Sequence, residues 1–239
     1  VEVVRGGARF EAREGMALQA QDIVRTLPGA RMARLETSLG AAIDLGPGTQ
    51  LLLHPTITPW PGERSALGYL ATGWAKLSAG SSSGPEASPI GLATASVHVA
   101  PAASGVLLLQ AQSDGAERAN NIFAFIEAGS AQLSEYAATP LSKKSAASKT
   151  VPVALAEGQA YRRSQAQSNG NLPGDLLARA SAATLSQVPP ALKDSLPRRA
   201  ARFRASPTAR PAELRRAGTV DRAHRPAASA PPPEDEPQG

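Results

Sequence analysis

The chain has 239 residues, a formal charge of +5, nine aromatic residues (four Phe, two Trp, three Tyr) and no cysteine. The absence of cysteine excludes disulfide scaffolds, thiol nucleophiles and cysteine-ligated metal sites. The three histidines, His54, His98 and His224, lie far apart in the sequence. The longest apolar runs are much shorter than the roughly 20 residues that a membrane helix needs. We therefore predict no metal site, no cofactor and no integral membrane segment.

Charge and aromatic residues divide the chain into two parts. Up to Arg163 there are 14 Lys/Arg and 13 Asp/Glu, whereas from Ser164 onward there are 11 and 7. Eight of the nine aromatic residues precede Ser164. Because the first part holds most of the material for a core, we predict one domain over residues 1–163 and a tail rich in Ala, Pro and Arg over 164–239.

In chain order, the first part consists of about fourteen short β-type runs separated by Gly and Pro. Several alternate apolar and polar residues, which is typical of half-buried strands. The predicted runs are 1–4, 9–12, 22–26, 33–37, 42–45, 50–54, 67–71, 74–77, 97–99, 106–112, 122–127, 131–136, 151–155 and 159–163. With no amphipathic helix between them, they predict an all-β fold: a β-sandwich, jelly-roll-like or β-helix-like domain.

The tail has a different pattern. Residues 173–187 open with a Pro-Gly-Asp start signal and continue as a segment rich in Ala and Leu, which predicts one short helix. Pro, Ala and Arg dominate later, and we predict disorder after about residue 205. The chain begins at Val1, which fits an exported protein whose signal peptide has been removed, although a trimmed chain would look the same.

The segment 15–26 (GMALQAQDIVRT) resembles the opening signature of the FecR domain family. The residues that carry the resemblance are Gly15, Leu18, Asp22, Val24 and Thr26. Their physical interpretation is structural: Asp22 accepts hydrogen bonds from backbone amides in a turn, Thr26 closes a strand, and Leu18 and Val24 contribute to the core.

The resemblance continues through 33–53, 69–77, 122–133 and 153–161, about two thirds of the chain. The turn glycines of these segments, Gly40, Gly73, Gly129 and Gly158, are expected to need positive φ, as is Gly15. Gln21 stands where the family usually has glycine. The resemblance implies a periplasmic β-domain, without the sigma-factor-binding and membrane segments of the family's signalling members.

Catalytic chemistry finds little support in the sequence. Carboxylate pairs could be formed from Asp22 with Asp44, or from Glu127 with Glu135, but strand spacing cannot place them in one cleft. None of the histidines accompanies a Gly-x-Ser-x-Gly nucleophile motif. We predict that the protein is not an enzyme and has no catalytic residues.

Two groups of residues are candidates for binding. Trp60, Tyr69 and Trp74 could form an aromatic platform for a glycan or peptide, or they could seal one end of the β-domain. The basic tail residues Arg198, Arg199, Arg202 and Arg204 could attract an anionic polymer. The tail aromatic Phe203 gives little support to base stacking, so no nucleic-acid partner is predicted.

The stretch 192–199 (LKDSLPRR) also has the pattern of a short linear docking motif, with apolar anchors in a basic frame. A tail that has no dedicated partner is the alternative.

The sequence thus predicts a non-catalytic periplasmic binding or scaffolding protein whose partner is an envelope protein or a cell-wall polymer. A sensor or adaptor in transmembrane signalling, contacting a receptor or secretion-machine partner, is the second hypothesis. A carbohydrate-binding or carbohydrate-processing β-protein that uses Trp60, Tyr69 and Trp74 is the third. The residues do not specify an oligomeric state.

Overall fold

The secondary structure is almost entirely β, which confirms the predicted fold class. The computed structural model describes residues 1–37, 40–54, 66–79, 91–102, 104–112, 121–135, 152–164 and 173–195. Within these ranges lie fifteen strands and two short helices. Strands such as Gln50–Leu53 and Ser130–Glu135 alternate more buried with more exposed residues, as expected for a sheet with one face on the core.

The strands follow one another closely along the chain. The first seven are β1 (Glu2–Arg5), β2 (Ala8–Glu11), β3 (Ile23–Arg25), β4 (Ala33–Glu36), β5 (Ala42–Leu45), β6 (Gln50–Leu53) and β7 (Ala66–Ser78). The next eight are β8 (Gly91–Ala93), β9 (Val97–Pro101), β10 (Val106–Gln112), β11 (Asn121–Ala128), β12 (Ser130–Glu135), β13 (Val153–Ala156), β14 (Ala160–Arg163) and β15 (Asp175–Leu177). Helices α1 (Ala182–Ser186) and α2 (Pro190–Lys193) follow β15.

Strand β7 is shared by two half-sheets. Its first part pairs with β6 and β8, and its second part pairs with β5 and β10. The first half-sheet runs β2-β1-β3-β6-β7-β8-β9-β12-β13, and the second runs β4-β5-β7-β10-β11-β14-β15. Neighbours among the described strands are antiparallel, apart from β7 with β8, which matches the sandwich alternative better than the β-helix-like one.

The predicted turn at Gly73 is wrong, because β7 continues through this residue. Gly73 has a φ of 93° but lies within the continuous strand. The Thr49 hydroxyl accepts from the Trp74 amide at 3.0 Å and donates to the Trp74 carbonyl at 3.1 Å. This side chain satisfies the backbone at the point where β7 changes partners.

Both half-sheets contribute to one hydrophobic core. Val24, Leu51 and Leu70 come from the first half-sheet. Leu45 and Leu109 come from the second. The core therefore lies between the half-sheets, as in a β-sandwich.

Packed structure extends beyond residue 163. The helix predicted near 173–187 is limited to α1, while Asp175–Leu177 form β15 against β14. The edge of β14 offers unpaired backbone groups, and their pairing outweighs the helical preference of this segment. β8, which the sequence analysis does not predict, has only three residues and pairs with both β7 and β9.

Candidate functional site

A buried aspartate stabilises the turn of residues 19–22, which we call the signature turn. Asp22 is fully buried, accepts from the Gln19 amide at 2.8 Å, and receives two bonds from the Arg5 guanidinium at 2.6 and 2.8 Å. Arg5 also donates to the Ala17 carbonyl at 3.1 Å. Asp22 therefore accepts a backbone hydrogen bond within the turn that precedes its strand, and its hydrogen bond to Arg5 raises the pKa of that guanidinium.

The remaining signature residues also take structural positions. Val24 is in the core, and the Thr26 hydroxyl accepts from the Thr49 amide at 2.8 Å and donates to the Gly46 carbonyl. Gly15 has a φ of 78°. Gln21 has a φ of 70°, so a residue with a side chain takes the left-handed conformation in this turn.

Leu18 lies at an open groove beside the signature turn. The groove has a volume of about 560 Å³ and is lined by Leu18 from the loop before β3, Leu35 from the second half-sheet and Leu53 from the first. Gln19 and Glu36 belong to its polar lining. The groove lies next to β4. Among the described strands, β4 pairs with β5 and with no other strand.

A second apolar cluster lies on the outer face of the second half-sheet. Trp74, Leu108 and Phe123 form this face, and the Trp74 and Phe123 rings meet edge to face with centroids 6.2 Å apart. Residues 181–195, which we call the strap, cross it and bury Val188 and Leu192 completely or nearly so. Each such burial stabilises the docked strap by about 1.5–3 kcal/mol.

Close packing beneath the strap depends on a glycine. A Cβ on Gly46 would lie 3.2 Å from the Leu192 side chain and 3.3 Å from Pro189. Trp74 would also be 3.2 Å from it. The absence of a side chain at position 46 thus leaves space for the strap to seat against the sheet.

A buried lysine fastens the end of the strap. Lys76 is only 1% exposed, and its ammonium donates to the carbonyls of Leu192 at 3.2 Å and Ser195 at 2.8 Å. It also pairs with Glu127 at 2.8 Å, whose side chain is 37% exposed. The three acceptors compensate for the removal of the ammonium from water.

An ion pair stands beside Lys76 on the same face. Arg34 on β4 contacts Asp44 on β5 through two hydrogen bonds of 2.6 and 2.7 Å. Asp44 is also the cross-strand neighbour of Lys76. The hydrogen bond with Asp44 raises the pKa of Arg34.

A further polar cluster lies between β12 and β14. Arg163, nearly fully buried, donates to Glu135 at 2.8 Å, and Glu135 also accepts from the Gly174 amide at 3.1 Å. Burial raises the pKa of the neighbouring Tyr161 phenol, and the negative charge of Glu135 raises it further. A Cβ on Gly174 would collide with the Tyr161 hydroxyl, so this cluster also fixes the chain just before β15.

The four carboxylates considered for catalysis are engaged separately. Asp22, Asp44, Glu127 and Glu135 are each paired with a different cation, Arg5, Arg34, Lys76 and Arg163 respectively. The described residues contain no group of three or more His, Asp or Glu side chains arranged to hold a metal ion. Neither α1 nor α2 has the length and apolarity needed to cross a membrane.

The proposed aromatic platform is not assembled by its described members. Trp74 is 7% exposed and packs under the strap, whereas Tyr69 packs with Ala66 and Ala93 in another cluster. Trp60, Arg198, Arg199, Arg202, Phe203 and Arg204 lie outside the described residues, as does the predicted disorder after about 205. Leu192 of the predicted docking motif is seated within its own chain.

Sequence reasoning missed the strap and its lysine. Alternation along β7 puts Trp74 and Lys76 on one face, which is usually the solvent face of a half-buried strand. The available signal was the pair of aliphatic residues Val188 and Leu192, which flank Pro189-Pro190 in a segment made largely of small or polar residues.

Comparisons with known proteins give matches among solved structures. Neither protein-family models nor curated protein sequences give a match. Two crystal structures of a candidate anti-sigma factor from Parabacteroides distasonis are similar to this chain at 12% and 11% identity, with TM-scores of 0.45 and 0.44. In each case 69% of this chain and 62% of the other is covered, so this chain spans less than two thirds of their length.

Proposed function

We propose that this chain is a non-catalytic binding or scaffolding protein of the bacterial envelope. The observation that supports the proposal is the separate pairing of all four candidate carboxylates with structural cations. A carboxylate neutralised in this way holds turns and strands together and is poorly suited to proton transfer. The resemblance of residues 15–26 to the FecR signature supports a periplasmic setting.

The partner in this proposal is an envelope protein or a cell-wall polymer. From Arg198 onward the chain has nine Lys/Arg and five Asp/Glu, which gives a net charge of +4. The residues before Arg198 have 16 Lys/Arg and 15 Asp/Glu, which gives +1. Attraction to an anionic polymer would therefore come from the tail, and it would weaken as salt rises.

Crosslinking in intact cells followed by identification of the captured molecules tests this function. The full chain is compared with a chain ending at Pro197 and with a full chain in which Arg198, Arg199, Arg202 and Arg204 are replaced by Gln. We expect the full chain to crosslink to specific envelope partners. In a separate assay, the full chain should sediment with purified peptidoglycan, and this sedimentation should be lost at about 0.5 M salt or when the tail is removed. Capture of no envelope component by the full chain would contradict the proposal.

A sensor or adaptor in transmembrane signalling is the second candidate. The observation that favours it is that Leu18 and Gln19 of the FecR-like signature help to line the open groove. Leu18→Arg should then abolish crosslinks to a receptor or secretion-machine protein, whereas Leu27→Arg, at an exposed position, should leave them intact. Equal crosslinking by the two variants would refute this candidate.

A further inference from the structure

The strap makes two kinds of contact with the second half-sheet. Val188 and Leu192 fill apolar positions against Trp74, Leu108 and Phe123. Lys76 contacts only main-chain carbonyls of the strap. Leu185 packs against the same cluster while remaining partly exposed. A surface that buries two apolar side chains and also binds main-chain carbonyls has the composition of a peptide-binding site, in which apolar anchors give specificity and main-chain bonds give affinity.

The strap itself has little structure that would hold it in place independently. α1 has five residues and α2 has four, which is far below the length at which an isolated helix is stable in water. α1 contains no buried residue, and Leu192 is the buried residue of α2. Attachment of the strap therefore depends on a few contacts, and such segments open locally while the rest of a domain stays folded.

The surface under the strap, formed by Trp74, Leu108, Phe123 and Lys76, is called the seat below. It also tolerates loss of the strap. Without the strap, Lys76 would lose two carbonyl acceptors but would keep Glu127, which is already partly exposed to water. The ammonium would then be hydrated instead of being left unpaired in the interior. The space above Gly46 would remain, because no side chain at that position can fill it.

We propose that the face of Trp74, Leu108, Phe123 and Lys76 is a docking surface for a short segment of a partner protein. The segment carries two aliphatic side chains four residues apart and main-chain carbonyls that accept from Lys76, and the strap occupies the surface when the partner is absent. The inference rests on the proposed binding function and locates its site. It assigns the seat to a peptide rather than to a polymer.

A labelled peptide with the sequence of residues 181–195 tests the surface by fluorescence anisotropy. The receptor is the full chain carrying Val188→Asp and Leu192→Asp, which detaches its own strap. We expect the peptide to bind this variant at least tenfold more tightly than it binds the wild-type chain, where the seat is occupied. Replacing Lys76 by Met in the variant should weaken binding about tenfold.

Two altered peptides provide matched controls. Leu192→Asp should abolish binding, whereas Lys193→Met, at an exposed position of the same helix, should leave binding unchanged. If the double variant fails to fold, a protease site placed at the exposed Arg179 allows the strap to be cut in the folded protein and displaced by the peptide.

Three results would overturn the inference. They are equal binding to the wild-type and strap-detached chains, no binding to either the detached or the cut chain, and exchange of straps between copies to give a dimer. Failure to capture an envelope partner in cells would contradict the proposed function without changing the anisotropy. Conversely, a captured partner that still binds after Lys76→Met would leave that function standing and contradict this site.

Discussion

Gly73 has a conformation and surroundings that exclude a side chain. Its φ is 93°, and a Cβ would collide with the Thr49 hydroxyl oxygen and lie 2.5 Å from the Thr49 Cα. An Ala residue would therefore strain the backbone and also displace the side chain that bonds both polar groups of Trp74.

We expect Gly73→Ala to lower the free energy of unfolding by more than ~2 kcal/mol, measured by urea denaturation. Gly158→Ala is the matched control, since Gly158 has a φ of 79° but no heavy atom beyond its chain neighbours within 4 Å of the place that a Cβ would occupy. In the control the free energy of unfolding should fall by only ~1 kcal/mol. Equal losses would show that contact with Thr49 does not matter.

Tyr161 should remain protonated in the folded protein well above the ordinary tyrosine pKa. Since folding raises the pKa of this phenol, the native state holds the proton more tightly than the unfolded state does. The resulting stabilisation is fully present below pH ~10 and decreases as pH rises beyond it.

Alkaline titration at 295 nm measures this effect. At pH ~11 the native wild-type chain and Tyr161→Phe should give the same phenolate absorbance, because Tyr161 is not ionised. After unfolding in guanidinium, the variant should lose one third of the signal, since the chain has three tyrosines. A native wild-type signal that already exceeds that of the variant would contradict the raised pKa.

At the scale of the elements, β15 and the strap come last in the described part of the chain, and both pack against the second half-sheet. We expect a chain ending at Pro197 to melt at the same temperature as the full chain, because it retains every described contact of the strap. A chain ending at Arg163 exposes Trp74, Leu108 and Phe123 and should melt several degrees lower. It should also bind the dye ANS; identical melting and dye binding for the two truncations would refute this role.

The sequence predicts elements whose signals are local. Alternation identifies β6 and β12, and the positive φ of Gly40, Gly129 and Gly158 follows from their predicted places in turns. The continuity of β7 through Gly73 is not predictable in this way, because it depends on Thr49, a residue 24 positions earlier in the chain. β8 is too short for a periodic pattern to distinguish it from a loop.

The candidate site is less predictable because its contacts join distant parts of the chain. Lys76 meets Leu192 across 116 residues and Glu127 across 51. Residue types show that a lysine and a glutamate are available, but only the folded arrangement decides which charges become partners. The same reason explains why Asp22 and Asp44 could be considered as a pair, although each binds its own arginine.

At the scale of the whole molecule, the net positive charge is concentrated at the end of the sequence. The residues before Arg198 have a net charge of +1, and those from Arg198 onward have +4. The last described residue, Ser195, is bound through its carbonyl to Lys76. The run of arginines therefore begins three positions beyond this contact in the sequence.

The sharing of β7 has a consequence for the order of folding. β7 pairs with β5 and β6, which are made before it, and with β8 and β10, which are made after it. During synthesis neither half-sheet can close until β7 and its later partners have left the ribosome. The two halves should therefore fold as one cooperative unit, and a cut within β7 should yield fragments that fold only when they are mixed.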